Sequence, residues 1–264
     1  NTTASNNTAL GHQALTSNTT GANNTAIGFQ ALKDSTDTHS CVSIGYKSAE
    51  NATANYVTAV GDRSMAGATV TGEHNTALGH YTLYNLTSGA RNTGAGSNAL
   101  SAVTTGDDNI SLGYAALNAN TTGSNNNALG SYALQLNTTA NNNTAVGHVA
   151  LGANTTGTQN VAIGAYTLRD NTTTNNCVAV GYHALFENTQ SQNTAVGSQS
   201  MKNNTTGVNN SAVGMNALTA NTTGNYNVAM GYNCMVDNTE GHSNTVIGYL
   251  AGQNITTGDY NVAV

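Results

Sequence analysis

The 264-residue chain has no proline, no tryptophan, 7% charged residues and 5% aromatics, a composition that cannot fill a broad globular core. Its net charge of -6 is spread thinly, and Lys33, Lys47, Arg63, Arg91, Arg169 and Lys202 are scattered among acidic residues. No basic stripe tracks a phosphate backbone, so nucleic acid is not expected as a partner. No apolar run approaches the roughly 18 residues of a membrane span, and no charged-then-apolar signal opens the chain, so no membrane insertion is expected of this segment. Cysteine is scarce too. Cys41, Cys177 and Cys234 form an odd set without metal-ligand spacing, which argues against a disulfide framework and against a metal site.

What the chain does have is one phrase repeated along its whole length: Asn-Thr-Ala-(Ile/Val/Leu)-Gly, two variable residues, Ala-Leu, two more, then Asn-Thr-Thr-Gly and a short polar link. Fifteen anchor glycines run from Gly11 to Gly248 at steps of 17 residues, apart from two steps of 16 and one of 18. Such strict self-similarity marks coils that cannot bury an apolar edge alone and must stack on their neighbours. The high net charge and missing hydrophobic period of a disordered chain are absent, so this low complexity is structural. The expected fold is all-β, a parallel β-solenoid of about fifteen coils, forming a single repeat array over 1–264 that is a window from a longer fibre.

Positions in a coil are counted from the anchor glycine. Period-two alternation at minus three to minus one predicts a short strand. The aliphatic row at minus one, including Leu10, Ile27, Ile44, Val60 and Val146, is expected to face inward and to meet the plus-four Leu/Met row, such as Leu32, Leu83 and Leu117. The minus-two alanines, for example Ala26, Ala59, Ala145 and Ala162, together with the anchor glycines, then form a smooth outer face along which other copies could pack. The opening Asn at minus four, kept in 13 of 16 coils, predicts an amide ladder. The Asn-Thr-Thr-Gly segment has turn chemistry. Cys41 and Cys177 replace ladder asparagines eight coils apart, on the order of 38 Å at the strand repeat, too far to bridge. A longer period is superimposed: residues 32–65 match 168–201, including the short step after Gly45 and again after Gly181, which points to a duplicated eight-coil block.

Signals for chemistry are sparse. Asp34, Asp170, Glu187 and Asp237 share one corner but stand singly, whereas glycoside hydrolysis needs two carboxyl groups within about 10 Å. His12, His80 and His148 lie four coils apart, too far for one metal ion. No phosphate loop or calcium-binding nonapeptide occurs, so no catalytic, cofactor or metal residues are assigned. The row just after the anchor glycine carries Phe29, Tyr46, Tyr114, Tyr182, Tyr232 and Tyr249, a candidate contact surface for glycans or a partner. The repeat also generates sequons for N-linked glycans, at Asn18, Asn120, Asn137, Asn154, Asn171, Asn204 and Asn221 among others. Threonine rows raise an ice-binding alternative, weakened because the paired threonines are adjacent in sequence and cannot both face one flat array.

The run Asn-Thr-Ala-Ile-Gly-x-x-Ala-Leu, at Asn24 to Leu32 and in variant form at Asn193 to Met201, resembles the head repeats of trimeric autotransporter adhesins, and looks even more like repeats in tail-fibre proteins of phages and large viruses. The resemblance covers the whole chain, although this repeat is longer through its Asn-Thr-Thr-Gly corner. It implies a left-handed parallel β-roll, usually of three chains, acting as an extracellular spacer or adhesive stalk without catalytic residues. The expected function is a structural extracellular fibre, a homotrimer or filament of its own copies. The alternatives are a glycan- or receptor-binding adhesin and, further off, a depolymerase tailspike or an ice-binding protein.

Overall fold

A computed structural model describes residues 3–264, which fall into two compact units, unit 1 up to Tyr132 and unit 2 from Ala133. Unit 1 carries β1 (Thr8–Leu10), β2 (Thr25–Ile27), β3 (Val42–Ile44), β4 (Thr58–Val60), β5 (Thr76–Leu78), β6 (Thr93–Ala95), β7 (Ile110–Leu112) and β8 (Asn127–Leu129). Unit 2 carries β9 (Thr144–Val146), β10 (Val161–Ile163), β11 (Val178–Val180), β12 (Thr194–Val196), β13 (Ser211–Val213), β14 (Val228–Met230), β15 (Thr245–Ile247) and β16 (Val262–Ala263). Within each unit successive strands pair in parallel and in register: Thr8, Ala9 and Leu10 lie beside Thr25, Ala26 and Ile27, and Val161, Ala162 and Ile163 beside Val178, Ala179 and Val180. The chain is a parallel β-solenoid with one coil per about 17 residues and no helix among the described residues. Residues 32–65 lie in unit 1 and the matching residues 168–201 in unit 2.

The side assignment within the strand is the reverse of the expected one. The minus-two alanines, including Ala26, Ala59, Ala145, Ala162 and Ala195, are fully buried within their own unit. The minus-one row points outward, with Leu78 at 43%, Leu112 at 40% and Met230 at 42% exposure. Cross-section explains the reversal. The plus-four side chains Leu32, Leu83, Leu117, Leu151, Leu185 and Leu218 are fully buried and fill a thin interior, so only a methyl group fits opposite them. One compensating pair shows how tight that fit is: minus two is the buried Val246 instead of Ala, and plus four of the same coil is Gly252 instead of Leu, where a Cβ would sit 3.0 Å from Val246 Cγ1. Each buried Leu contributes roughly 1.5–3 kcal/mol. Because the Ala row is consumed inside each unit, a trimer packed along an Ala/Gly face is excluded.

Anchor glycines meet two demands at once. Gly28 has φ +130°, and a Cβ there would lie 2.3 Å from Gly45 O in the next coil. Left-handed backbone also recurs at non-glycine positions two, four and twelve after the anchor, as at Gln30 (φ 56°), Leu32 (φ 48°) and Ser40 (φ 56°). Such residues cost roughly 1–2 kcal/mol each in isolation. Stacking offsets this cost, because each reversal turns an N–H along the solenoid axis. Gln30 N–H reaches back to His12 O (2.9 Å), Leu32 N–H forward to Ser48 O (3.2 Å), and Ser40 N–H back to Ala22 O (3.0 Å).

The minus-four ladder runs in both units, and a second asparagine ladder at plus seven fixes the other corner in unit 2, whereas unit 1, between Asn18 and Asn120, instead buries Ser35, Ala52, Val70, Leu86 and Val103 there. At minus four, Asn92 Nδ2 donates to Asn75 Oδ1 (3.2 Å) and Gly106 O (2.8 Å), while Asn92 Oδ1 accepts from Asn109 N–H (3.1 Å) and Nδ2 (3.0 Å). At plus seven, Asn221 Nδ2 donates to Asn204 Oδ1 (2.7 Å) and to Gly224 O (3.1 Å), and Asn238 Nδ2 continues the row to Asn221 Oδ1 (2.8 Å). Cys41 and Cys177 take the position of a ladder asparagine and its donor role, but not its side-chain bond to the next rung. Their thiols donate to Ala54 O (3.4 Å) and Gln190 O (3.3 Å), the carbonyls that a ladder amide would reach. All three cysteines are free and buried.

Candidate functional site

The strand Thr-Ala-Ile alternates, so burying Ala forces its neighbours at minus three and minus one onto the outer face of the sheet. Within each unit this gives a half-exposed Thr/Val row beside an aliphatic row. Leu10, Ile44, Leu78, Leu112 and Leu129 stand out in unit 1, and Ile163, Val196, Val213, Met230 and Ile247 in unit 2, all at least 36% exposed. The sequence reading missed this face because period two identifies the two sides of a strand without saying which is inside; the small size of the Ala row was the available signal.

The expected aromatic row is exposed and is organised by stacking. Phe29 stacks between His12 and Tyr46 at centroid distances of 5.3 and 5.2 Å. Arg63 continues this cluster between the rings of Tyr46 (5.3 Å) and Tyr81 (5.6 Å), donating from Nη1 to Tyr81 Oη at 2.8 Å. Tyr114 meets Tyr132 edge-on at 5.3 Å. In unit 2 Tyr182 stacks on His183 (4.0 Å), which stacks on Phe186 (4.4 Å), and Arg169 lies 3.7 Å over Phe186. Burial, with Lys202 and Arg169 nearby, holds the His183 imidazole below its ordinary range. Tyr232 and Tyr249 stack at 5.5 Å. Stacking along the axis occupies ring faces in the His12–Phe29–Tyr46 and Tyr232–Tyr249 clusters, Tyr182, His183 and Phe186 stack within one coil, and Tyr114 and Tyr132 meet edge to face.

The corner sequons have a different fate. Asn18, Asn120, Asn137, Asn154, Asn171, Asn204 and Asn221 are at most 2% exposed, and most belong to the plus-seven ladder. A glycan on such an amide would have to occupy the solenoid interior. Sequence alone could not separate them from exposed sequons, because a ladder asparagine and a turn asparagine are spelled alike.

At the acidic corner Asp34 and Glu50 come together around Lys33 Nζ, with Glu50 Oε1 at 3.7 Å and Lys47 Nζ 3.2 Å from Glu50 Oε2, so this carboxylate pair is neutralised by two lysines. Asp34 lies 3.5 Å from Lys33, and Asp170 makes a paired contact with Arg169 (2.7 Å to each oxygen), which is surface charge pairing. No group of three or more His, Cys, Asp or Glu side chains is placed to hold a metal among the described residues. An open depression of about 480 Å³ lined by Leu250, Gly252, Gln253, Asn254 and Ile255 carries no titratable side chain. No helix among the described residues is long and apolar enough to cross a membrane. Comparison with known families, curated proteins and solved structures finds no match to this chain.

Proposed function

We propose that the chain is a non-enzymatic structural segment of an extracellular fibre, giving length, stiffness and surface display. The observation that carries this reading is the outward strand face. A repeat that puts Ile, Val, Leu or Met on its surface in coil after coil, beside threonine or valine, maintains an apolar stripe that a solitary soluble chain has no use for. Copies of the same chain are the proposed cover, as a homotrimer or filament packed along this face. The resemblance to adhesin-head and tail-fibre repeats supports the same reading.

Electron microscopy of the assembled particle, counting chains per cross-section, tests it together with sedimentation of a Val213→Asp, Met230→Asp double variant. Both positions are exposed, so the variant is expected to keep its fold and lose self-association. A single chain per cross-section, or a double variant that assembles like the parent, would overturn the proposal. The adhesin reading rests on the exposed stack of Tyr232 and Tyr249 and is separable. Replacing both tyrosines with alanine would abolish cell or glycan binding while leaving fibre assembly intact.

A further inference from the structure

The fold divides the sequons into two classes with opposite consequences. Eight sequon asparagines are buried: the seven of the Asn-Thr-Thr corners and Asn109, whose sequon ends at Ser111. Others are exposed: Asn6, Asn23, Asn142 and Asn209 in the link before the minus-four ladder, and Asn85 and Asn254 at the opposite corner, while Asn51 and Asn203 are half-buried. N-glycosylation joins sugar C1 to Asn Nδ2, breaks the C1–O bond to a lipid pyrophosphate donor, and releases the pyrophosphate with one amide proton. Only one N–H then remains on the amide. Asn154 Nδ2 uses both of its hydrogens in the fold, on Gly157 O (3.0 Å) and Asn137 Oδ1 (2.9 Å); Asn204 Nδ2 likewise donates to Gly207 O (2.9 Å) and Asn188 Oδ1 (2.8 Å). A glycan there removes a buried hydrogen bond and also requires space that the neighbouring coil fills.

We propose that the exposed sequon asparagines Asn6, Asn23, Asn85, Asn142, Asn209 and Asn254 are N-glycan acceptor sites that the solenoid tolerates, whereas a glycan on any buried sequon prevents the coil from forming. It follows that the chain folds only where its Asn-Thr-Thr corners escape a transferase acting on the extended chain. The proposal holds whether or not the chain assembles into a fibre.

The sequon design supplies a clean test, because the third residue of each corner sequon is the exposed plus-nine threonine and not a ladder residue. Replacing Thr20, Thr122, Thr139, Thr156, Thr173, Thr206 and Thr223 by alanine, with Ser111→Ala, removes all eight buried acceptors and leaves both ladders in place. Parent and variant would be produced in bacterial cytoplasm and through the secretory route of an N-glycosylating eukaryotic cell. Glycosidase release in heavy-oxygen water, followed by peptide mass analysis, then marks each occupied asparagine. Both chains are expected to fold in bacteria. In the secretory route the parent is retained, and the variant is secreted with glycans on the exposed set, Asn6, Asn23, Asn85, Asn142, Asn209 and Asn254. A secreted, folded parent bearing a glycan on Asn137 or any other buried sequon overturns the proposal. So does a variant that folds in bacteria but is not secreted, or is secreted without glycans on the exposed set. Should the variant fail to fold in bacteria, the parent decides by two measurements. Blocking synthesis of the lipid-linked donor must restore its secretion, and bacterially folded parent given purified transferase and donor must accept glycans only at the exposed sites; failure of either overturns the proposal.

Discussion

Asn92→Ala measures what one rung of the minus-four ladder contributes. The Asn92 side chain is fully buried, donates to Asn75 Oδ1 and Gly106 O, and accepts from the backbone and side-chain nitrogens of Asn109. Truncation strands two buried backbone groups, Asn109 N–H and Gly106 O, at about 1–3 kcal/mol each, so the expected loss is roughly 2–6 kcal/mol. Asn92→Asp should cost no less, since the carboxylate keeps the acceptor role but faces Asn75 Oδ1 and Gly106 O with no hydrogen to donate. Thr105→Ala, on an exposed corner, is the matched control and should change stability by under about 0.5 kcal/mol. Urea titration gives the global effect, and hydrogen exchange at the Asn109 amide gives the local one. In a repeat array each coil leans on its immediate neighbours, so protection should fall first in the coils flanking position 92. If Asn92→Ala unfolds within 0.5 kcal/mol of the parent and the Asn109 amide stays protected, water replaces the rung at no cost and the ladder is not what holds this corner.

Ala162→Leu should cost about 1–3 kcal/mol or more by overpacking a fully closed position, while Ile163→Thr on the outer face should cost well under that; thermal melting of the two variants tests the reversed side assignment. Burial pushes the Cys41, Cys177 and Cys234 thiols up, so an alkylating reagent at neutral pH should label them only after the chain is unfolded, as mass analysis would show. His183 is held below its ordinary value near 6.5, so the fold favours the neutral ring. Stability is therefore full above about pH 6.5 and declines as pH falls below it, and His183→Gln should remove that part of the pH dependence of the melting temperature.

The coil, its period and its parallel stacking were legible because glycine spacing and like-with-like substitution are direct records of in-register stacking. Leu117 was placed inside correctly because a large aliphatic repeated at one position has no other use in a thin solenoid. Leu112 was placed inside wrongly for a physical reason. Hydrophobicity favoured burying Leu over Ala, but the interior width allows one large row, and the plus-four leucines occupy it. The left-handed conformation of Leu32 was not legible at all, since glycine or asparagine is the usual mark of that backbone and here the hydrogen bonds to neighbouring coils compel it. The second ladder was hidden because Asn221 sits in a sequence with good turn chemistry, which explained the residue too easily.

The places where the repeat changes length follow from the same geometry. In the 16-residue coil after Gly45, Thr53 and Ala54 N–H both donate to Val70 O, as Thr19 and Thr20 N–H both donate to Thr36 O in a regular coil. The missing residue falls where a regular coil carries its exposed plus-nine threonine, since Ala54 is already buried in the place usually held by glycine. The 16-residue coil after Gly181 loses its residue at the same corner, with Asn188 Nδ2 still donating to Gln190 O at 2.6 Å. The 18-residue coil after Gly61 gains two residues beside that corner, Ala68 and Thr69 between Gly67 and the buried Val70, and lacks the plus-nine residue, since Gly72 follows Thr71 directly. A slip anywhere in the strand would turn the Ala row outward and the Ile row inward, and a slip between the ladders would pull an amide out of line with its neighbour. The exposed corner can shorten or lengthen without either consequence. Length variation therefore collects at the corner around plus seven to plus ten, while the strand, the leucine row and the minus-four ladder stay in step from coil to coil within each unit.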